Sequence, residues 1–353
     1  MNILEGKRVL IVGGTGSLGK VLMRRLLRGD AGVPEKVVVL SRDEGKQHQI
    51  RVDYHRHRFA TDDIIYRTFK DRLEFRIGDA RDFPTVLAAL RDIDVVFNAA
   101  ALKQVPTCEY FPWEAVLTNV SVPENIVRAI RDFRLPVEAV VGISTDKAVK
   151  PINVMGMTKA LQERVFIRAN LDCPSTRFLL VRYGNVLASR GSVIPLFHHQ
   201  IKSGGPVTIT DPRMTRFLLS LGDAVDTIFA ALATGGRGDT YVPRVPSALV
   251  ADLAEALIGD RPIRTEITGI RPGEKVHEIL ISEEEAPRTV ARGDYLVIRP
   301  LLPELAEAGH VPAIEKEYAS SDAPVSLEEV RNLLARHSLT VDDARLPEAE
   351  LLR

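Results

Sequence analysis

A glycine-rich turn between a short apolar run and a helical pattern constrains the fold of this chain more than any other feature. Arg8–Val12 is predicted to be a buried strand, and Leu18–Leu27 a helix. The turn between them has the spacing GxxGxxG, in which a tight bend, close approach to a pyrophosphate and close helix packing each exclude a side chain. The helix N-terminus then meets the phosphates. The predicted contacts of a bound dinucleotide in this turn are Gly13, Thr15, Gly16, Ser17, Leu18 and Gly19.

The remainder of the first half alternates short β-rich runs with helical patterns. Helices are predicted around Ala115–Arg131 and from about Val154 to Ala169. This alternation predicts an α/β fold with a Rossmann-type, doubly wound and mostly parallel sheet, whose ligands bind at the carboxyl ends of the strands. The further predicted strands are Val37–Leu40, Leu73–Ile77, Val95–Asn98, Ala139–Ser144 and Phe178–Arg182.

Beyond Arg182 the pattern becomes irregular and rich in glycine and proline, which predicts a second, smaller C-terminal substrate-binding domain. We assign residues 1–182 and about 217–245 to the dinucleotide-binding domain. Residues 183–216 and 246–300 are assigned to the substrate-binding domain, and residues 301–353 to a helical tail that is a candidate oligomer contact.

Three local patterns lie outside this rhythm. Ser247–Ile258 is predicted to be a helix closed by Gly259, and Ser326–Glu329 has the pattern of a capping box that opens a late helix. The stretch 45–70 is basic and contains histidines, and it is predicted to be a solvated helical insertion.

Composition excludes several classes of function. The 47 basic and 47 acidic residues balance, so attraction to nucleic acid or to an anionic membrane is not expected. The two cysteines, Cys108 and Cys173, have no metal-like spacing and are expected to be reduced thiols, with no metal site. The N-terminus has neither a signal peptide nor a membrane-spanning pattern, so a cytoplasmic protein is expected.

The end of the second predicted strand indicates which dinucleotide is bound. Arg42 follows Ser41 there, with Lys46 one turn later, and these cations favour the 2′-phosphate of NADP. Asp43 leaves NAD possible, because a carboxylate at this position can bind a ribose hydroxyl instead. Asp79 follows the third strand and is expected at the adenine amino group. Small residues expected beside the cofactor are Ala80, Ala99 and Ala100.

A hydroxyl, a carboxylate and an amine follow one another at the end of the fifth predicted strand, as Thr145, Asp146 and Lys147. Packing alone does not explain such a group at a strand end. The next predicted helix carries Met155 and Lys159, whose i, i+4 spacing places them on one helix face. We therefore predict a catalytic site here, in which Lys159 also holds the nicotinamide ribose.

Several motifs across the first 300 residues carry a resemblance to a known family. The chain resembles the extended short-chain dehydrogenases/reductases, and within them the soluble UDP-N-acetylglucosamine 4,6-dehydratases of the capsule and flagellin-glycosylation type. In that family the position of Met155 holds either a catalytic tyrosine or a methionine, so methionine there does not imply an inactive enzyme. The matching motifs are 98–106 (NAAALKQVP), 144–148 (STDKA), 182–186 (RYGNV), 189–195 (SRGSVIP), 211–217 (DPRMTRF) and 271–275 (RPGEK).

The resemblance implies a reaction in surface-polysaccharide biosynthesis. Hydride leaves C4 of the sugar, a base removes the C5 proton, the C6 hydroxyl leaves as water, and hydride returns to C6. We assign the base to Lys147, with a pKa expected to be lowered by partial burial beside a positively charged nicotinamide, and the acid for the C6 oxygen to Asp146. Thr145 is expected to bind the C4 oxygen. The residues implied to bind the UDP-sugar are Lys103, Asn185, Ser192, Arg216, Arg271 and Glu274.

Two other interpretations stay open. The chain could be a UDP-sugar 4-epimerase on the same scaffold, although the Asp146–Lys147 pair favours elimination. It could also be a non-catalytic NADP-binding sensor, which would bind the cofactor and leave the sugar unchanged. The resemblance further implies inversion at C5 and a homo-oligomer, a hexamer or a dimer.

Overall fold

The computed structural model describes residues 2–56, 72–187, 192–306, 309 and 311–343. In these ranges the strands, numbered β1 to β16 in chain order, are Arg8–Val12, Lys36–Ser41, Leu73–Ile77, Val95–Asn98, Ala139–Thr145, Arg177–Tyr183, Asn185–Val186, Val207–Ile209, Thr215–Leu219, Thr240–Pro243, Ser247–Leu249, Thr265–Ile267, Ile279–Ile281, Thr289–Arg292, Tyr295–Ile298 and Tyr318–Ala319. The α-helices, numbered α1 to α11, are Ser17–Arg28, Glu44–Arg56, Phe83–Leu90, Val105–Tyr110, Pro112–Val116, Val122–Phe133, Val154–Asp172, Val193–Lys202, Leu221–Thr234, Val250–Ile258 and Leu327–Arg336.

The main sheet has the order β14-β15-β10-β6-β5-β4-β1-β2-β3. All neighbours from β3 to β10 are parallel. The succession 3-2-1-4-5-6 is the doubly wound Rossmann order, whose ligand crevice lies where the order reverses, beside β1 and β4. The predicted fold class is confirmed, and the six predicted strands fall within one residue of those observed.

The hairpin of β14 and β15 corrects one predicted boundary. Residues 246–300 were expected in the smaller domain, but β15 pairs antiparallel with β10 and extends the main sheet. The hairpin buries Leu296 and Val297, so the end of this range contributes to the sheet. The rest of the division into domains stays a prediction.

Each face of the main sheet is covered by helices, because the strands are apolar on both sides. Along β1, Val9 and Ile11 pack in one apolar cluster, and Leu10 and Val12 pack in the other. The first cluster includes α1 and α9, and the second includes α3, α6 and α7. Burial on both faces, worth about 1.5–3 kcal/mol for each large apolar side chain, fixes the strand ends that carry the site.

A smaller apolar cluster is built from α8, α10 and α11. The predicted helix 247–258 is wrong at its start, because residues 247–249 form β11, paired with β9. Gly259 ends the helix with φ 57°, as predicted. The predicted capping box is confirmed: Ser326 and Glu329 bond reciprocally, and the tail helix α11 buries Val330 and Leu334 in this cluster.

Two further predictions have a partial outcome. The predicted helix 115–131 is divided, since α5 leads through a π-helical turn, Leu117–Ser121, into α6. The helical insertion predicted at 45–70 is helical as α2, while 57–70 lie outside the described residues. Within the described ranges, no helix is long and apolar enough to span a membrane.

Candidate active site

One cavity of about 1020 Å³ opens at the carboxyl ends of the central parallel strands. It lies where doubly wound sheets bind ligands, and its size suits a cofactor and substrate together. Every predicted site residue except Asp146 lines it. These are Gly13, Thr15, Gly16, Ser17, Leu18, Gly19, Ser41, Arg42, Lys46, Asp79, Ala80, Ala99, Ala100, Lys103, Thr145, Lys147, Lys159, Asn185, Ser192, Arg216, Arg271 and Glu274.

The glycine turn leaves room for a pyrophosphate. A Cβ on Gly13, which has φ 79°, would lie 2.7 Å from backbone atoms of Ala100, and one on Gly19 would lie 2.5 Å from Gly14. A Cβ added to Gly16 would lie 3.6 Å from the Gly13 carbonyl oxygen. Gly16 is also the N-cap of α1, and it provides no side-chain hydrogen bond to the first amides of the helix. The first amides of α1 are therefore open to an anion at the helix N-terminus, which fits a dinucleotide.

The end of β2 has both cationic and anionic groups. Arg42 is exposed and its Nη1 lies 3.9 Å from Asp79, while Lys46 forms an ion pair with Asp43. Arg81, which the sequence analysis missed, donates three hydrogen bonds to the Asp79 carboxylate. These bonds from Arg81 hold the pKa of Asp79 below its ordinary value, although burial opposes them. Asp79 is thus a paired carboxylate at the adenine end of the predicted cradle.

A 3-10 turn at Asp146–Ala148 carries the predicted catalytic residues from the end of β5 into the cavity. The Thr145 hydroxyl donates to Asp146 Oδ1 over 2.7 Å, and Lys147 Nζ donates to the same oxygen over 3.1 Å. The first turn of α7 packs tightly on this segment, because a Cβ on Gly156 would lie 2.1 Å from the Lys147 carbonyl oxygen. The packing fixes where the Lys147 side chain leaves the backbone.

The pKa lowering predicted for Lys147 assumes a bound nicotinamide, and the residues of this chain by themselves shift the pKa of Lys147 the other way. Burial does lower its pKa, but the charges of Asp146 and Glu278 raise it by more, and the net shift is upward. Lys147 Nζ lies 3.1 Å from Asp146 and 3.3 Å from Glu278. The ammonium is therefore stabilised by two carboxylates, and its ability to act as a base depends on proton exchange with them.

The pKa of Lys159, in contrast, is lowered to about 7 by burial, with partial opposition from Glu163. Its Nζ donates to the carbonyl of Ile143 over 2.5 Å and to Gln162 Oε1 over 2.7 Å. Met155 lies one turn earlier, is 5% exposed, and packs with Cys108. Met155 also lines the cavity, so the tyrosine position is occupied by an apolar side chain at the site.

Asp146 and Glu278 are placed differently, although both contact Lys147. Asp146 is fully buried and contributes nothing to the cavity wall within the described ranges, whereas Glu278 lines the wall. The sequence analysis missed Glu278. Its signal is a charged residue directly before the apolar run of β13, which packing alone does not require.

The substrate-side residues fall into two groups. Asn185 Oδ1 and Ser192 Oγ are buried without a hydrogen-bond partner among the described residues, and such atoms fit a polar ligand. The Arg216 guanidinium instead donates to the chain's own carbonyls, including Val276 and Lys275. Arg271, Glu274 and Lys103 lie on the outer cavity wall. Residues 188–191 of the predicted motif are outside the described ranges.

Comparison with known proteins establishes the family. A family model described as polysaccharide biosynthesis protein matches residues 9–300. The chain belongs to this family. Curated relatives named UDP-glucose 4-epimerase support the assignment. The protein from Rickettsia bellii strain OSU 85-389 is 41% identical over 340 residues, which is 93% of this chain and 95% of the relative. That from Rickettsia prowazekii is 40% identical over 348 residues, 95% and 96% of the two chains.

Solved structures extend this family assignment to the fold. The structure of Pen from Bacillus thuringiensis has a TM-score of 0.84 and 34% identity, covering 95% of this chain and 99% of the other. The dTDP-glucose 4,6-dehydratase DesIV from Streptomyces venezuelae, solved with NAD and TYD bound, has a TM-score of 0.64 at 22% identity. The match covers 76% of this chain and 86% of DesIV, and it shows a shared fold.

Proposed function

We propose that this member of the family binds a nicotinamide dinucleotide along the cradle formed by Gly13, Gly16 and the first amides of α1. The absent side chains, the uncapped helix start and the small residues Ala99 and Ala100 support this placement. Arg42 favours NADP. Its side chain lies at the cavity edge and is 63% exposed, so its guanidinium is accessible to a 2′-phosphate. Arg42→Ala should weaken NADP binding about tenfold in calorimetric titration, the loss of one charge-assisted contact, and should leave NAD binding nearly unchanged.

The substrate we propose is a UDP-sugar, and the resemblance of the sequence motifs favours UDP-N-acetylglucosamine. Asn185 and Ser192 present unpartnered buried oxygens, which match the donors of a uracil and ribose. Arg271 and Lys103 at the outer wall supply positive charge for the diphosphate. Glu274 orients Arg271, whose backbone N–H lies 3.4 Å from its carboxylate.

The reaction we propose is 4,6-dehydration, with inversion at C5 suggested by the resemblance. The nicotinamide supplies reversible hydride transfer when bound. The Thr145 hydroxyl at the cavity wall, which donates to Asp146, accepts a hydrogen bond from the C4 hydroxyl, and Lys147 removes the C5 proton once C4 is a ketone. Lys159 positions the nicotinamide ribose. The single observation that carries this proposal is the amine and carboxylate cluster around Lys147, since elimination needs an acid and a base at the sugar.

A 4-epimerase is the second candidate, and the name of the Rickettsia relatives favours it. Both reactions begin with loss of the C4 hydroxyl proton, a role that Met155 is unable to fill, so Met155 does not separate them. Epimerisation requires no acid for a leaving hydroxyl, so the second carboxylate beside Lys147 would have no function. This feature favours dehydration over epimerisation.

Product mass separates the two candidates. Purified protein is incubated with UDP-N-acetylglucosamine and, in parallel, with UDP-glucose, without added cofactor, and the nucleotide sugars are resolved by mass spectrometry. Dehydration gives a product lighter by one water from UDP-N-acetylglucosamine. A product of unchanged mass that separates from the substrate would show an epimerase, and no turnover of either sugar would contradict both candidates.

A further inference from the structure

Glu278 occupies a position in the cavity that no motif assigns. It directly precedes β13, and its side chain is 2% exposed. Its Oε1 lies 3.3 Å from Lys147 Nζ and 3.9 Å from Arg216 Nε. The other oxygen, Oε2, is buried and has no hydrogen-bond partner among the described residues. A buried carboxyl oxygen without a partner on a cavity wall requires an explanation, because burial of an unsatisfied polar atom is costly.

Asp146 is a poorer candidate for contact with a substrate. Its Oδ1 accepts from both Thr145 and Lys147, which holds the carboxylate within the turn. Its Oδ2, like Oε2 of Glu278, is buried without a hydrogen-bond partner among the described residues, but Asp146 does not line the cavity. Of the two carboxylates that contact Lys147, the one that lines the cavity is therefore Glu278.

The backbone around Glu278 is rigidly held by the tail. Ser320 Oγ accepts from the Glu278 N–H over 2.9 Å, and the Ser320 N–H donates to the Glu278 carbonyl over 2.8 Å. Ser320 Oγ also lies 2.7 Å from the hydroxyl of Thr215. The tail segment, assigned from sequence to a candidate oligomer contact, thus fixes a residue of the cavity wall.

Burial raises the pKa of Glu278, and Lys147 opposes this shift only in part. A carboxyl in this environment holds a proton more readily than an exposed glutamate. Glu278 and Lys147 can therefore share one proton between them, as a neutral acid beside a free amine or as the ion pair. Elimination starts from the neutral acid and the free amine, and it ends with the ion pair.

We propose, on the basis of the dehydration function above, that Glu278 protonates the departing C6 oxygen and that Asp146 is a positioning residue for Lys147. In the elimination the Lys147 amine takes the C5 proton, the C5–H electron pair forms the C5–C6 double bond, and the C6–O bond breaks. The carboxyl proton of Glu278 passes to that oxygen, which leaves as water. Lys147 later returns a proton to C5. The C4 hydroxyl proton passes to solvent on oxidation, and the Glu278 carboxyl regains its proton from solvent.

The test compares Glu278→Gln, Asp146→Asn and the control Glu283→Gln, whose side chain is 65% exposed and pairs with Lys150. In deuterated buffer, Glu278→Gln should release water at least about 100-fold more slowly, the usual contribution of a general acid. It should still exchange the C5 proton, so recovered sugar carries deuterium. Glu278→Asp keeps a carboxyl and should restore part of the elimination, while Glu283→Gln should equal wild type.

Asp146→Asn should lower C5 exchange and elimination together. It should also move the pH profile of C5 exchange to lower pH, because Lys147 loses a carboxylate that raises its pKa. Elimination by Glu278→Gln within about threefold of wild type would overturn the acid role. So would an Asp146→Asn protein that exchanges C5 normally but releases no water, since the acid would then be Asp146. A wild-type protein that only epimerises would overturn the dehydration function and this role together.

Discussion

Arg182 is buried between two carboxylates, and its removal should destabilise the protein severely. Its guanidinium lies 2.7 Å from Glu163 and 2.7 Å from Glu285, and the arginine side chain is 3% exposed. Glu163 in turn accepts from Ser144 in β5 over 2.5 Å. The network joins α7, β6 and the segment after β13, and through Ser144 it reaches the strand end that leads into the turn at Asp146–Ala148. Arg182→Met keeps similar volume but removes the guanidinium from both buried carboxylates, and Glu285 then keeps only Arg288, 3.6 Å away.

Breaking a buried ion pair in this way costs about 3–5 kcal/mol. With an unfolding entropy of about 2.1 cal/mol/K per residue, 353 residues convert about 4 kcal/mol into a fall in Tm of about 5 °C. Urea titration and calorimetry measure both quantities. The matched control is Arg168→Met, because Arg168 pairs with Asp172 over 2.7 Å but is 55% exposed. It should lose only about 0.3–0.5 kcal/mol.

The pH dependence gives a second readout for Arg182. Burial raises the pKa of Glu285, but Arg182 lowers it by more, and the net shift is downward. The stability that this pair contributes is therefore present above the ordinary glutamate pKa and is lost as pH falls through the lower folded value. The difference in unfolding free energy between wild type and Arg182→Met should therefore become smaller at acid pH. A variant within about 1 kcal/mol of wild type at neutral pH would refute the reasoning.

Three further predictions concern the site. Gly13→Ala should abolish dinucleotide binding in calorimetric titration, since its Cβ would lie 2.7 Å from Ala100 backbone atoms. Gly156→Ala should lower turnover at least about tenfold, because a Cβ 2.1 Å from the Lys147 carbonyl must displace the catalytic turn. In the unliganded protein, Lys159→Met should remove a rise in unfolding free energy with pH. The folded pKa of Lys159 is about 7 against an ordinary 10.5, so the folded chain binds fewer protons than the unfolded chain between these values.

Each of these predictions has an outcome that contradicts it. For the glycines the control is Gly45→Ala, where the nearest atom to a new Cβ is Asp43 Oδ1 at 3.6 Å. Equal dinucleotide affinity of Gly13→Ala and Gly45→Ala would exclude the cradle, and normal turnover of Gly156→Ala would exclude the fixed turn. For Lys159→Met, unfolding free energies are measured by urea titration at pH 6 and pH 9. The same difference from wild type at both pH values would show that folding does not lower the pKa of Lys159.

The main sheet was readable from sequence because its strands are buried on both faces and give continuous apolar runs. Val9–Val12 and Val95–Phe97 are such runs, and each ends at polar or small residues that mark the crevice. The hairpin 289–298 was assigned to the wrong region because its strands follow an irregular stretch. Nothing local indicates that they pair with β10. Residues 247–249 were predicted as helix because their sequence has no strand pattern. They form a strand, β11, because they pair with β9.

The candidate site was predicted in its residues but not in its electrostatics. The cofactor-side residues were predicted from strand ends, which meet at one edge of a doubly wound sheet, whereas Arg271 and the other substrate-side residues were predicted from the family resemblance. The spacing of motifs in the sequence does not indicate which charged side chains from distant segments pair with each other. Glu278 is far from Lys147 in the chain, and only the tertiary fold places the two side chains 3.3 Å apart. The upward shift that Asp146 and Glu278 impose on the pKa of Lys147 was therefore not predictable from the sequence.

The central claim is that the amine and carboxylates at the end of β5 remove water from a ketonised hexose without a phenol. Proton NMR of the product formed from UDP-N-acetylglucosamine in deuterated buffer tests it most directly. We expect a C6 methyl group and deuterium at C5, with ring coupling constants of the inverted sugar. A product that keeps its C6 hydroxymethyl group and its C5 proton, with only C4 inverted, would contradict the claim.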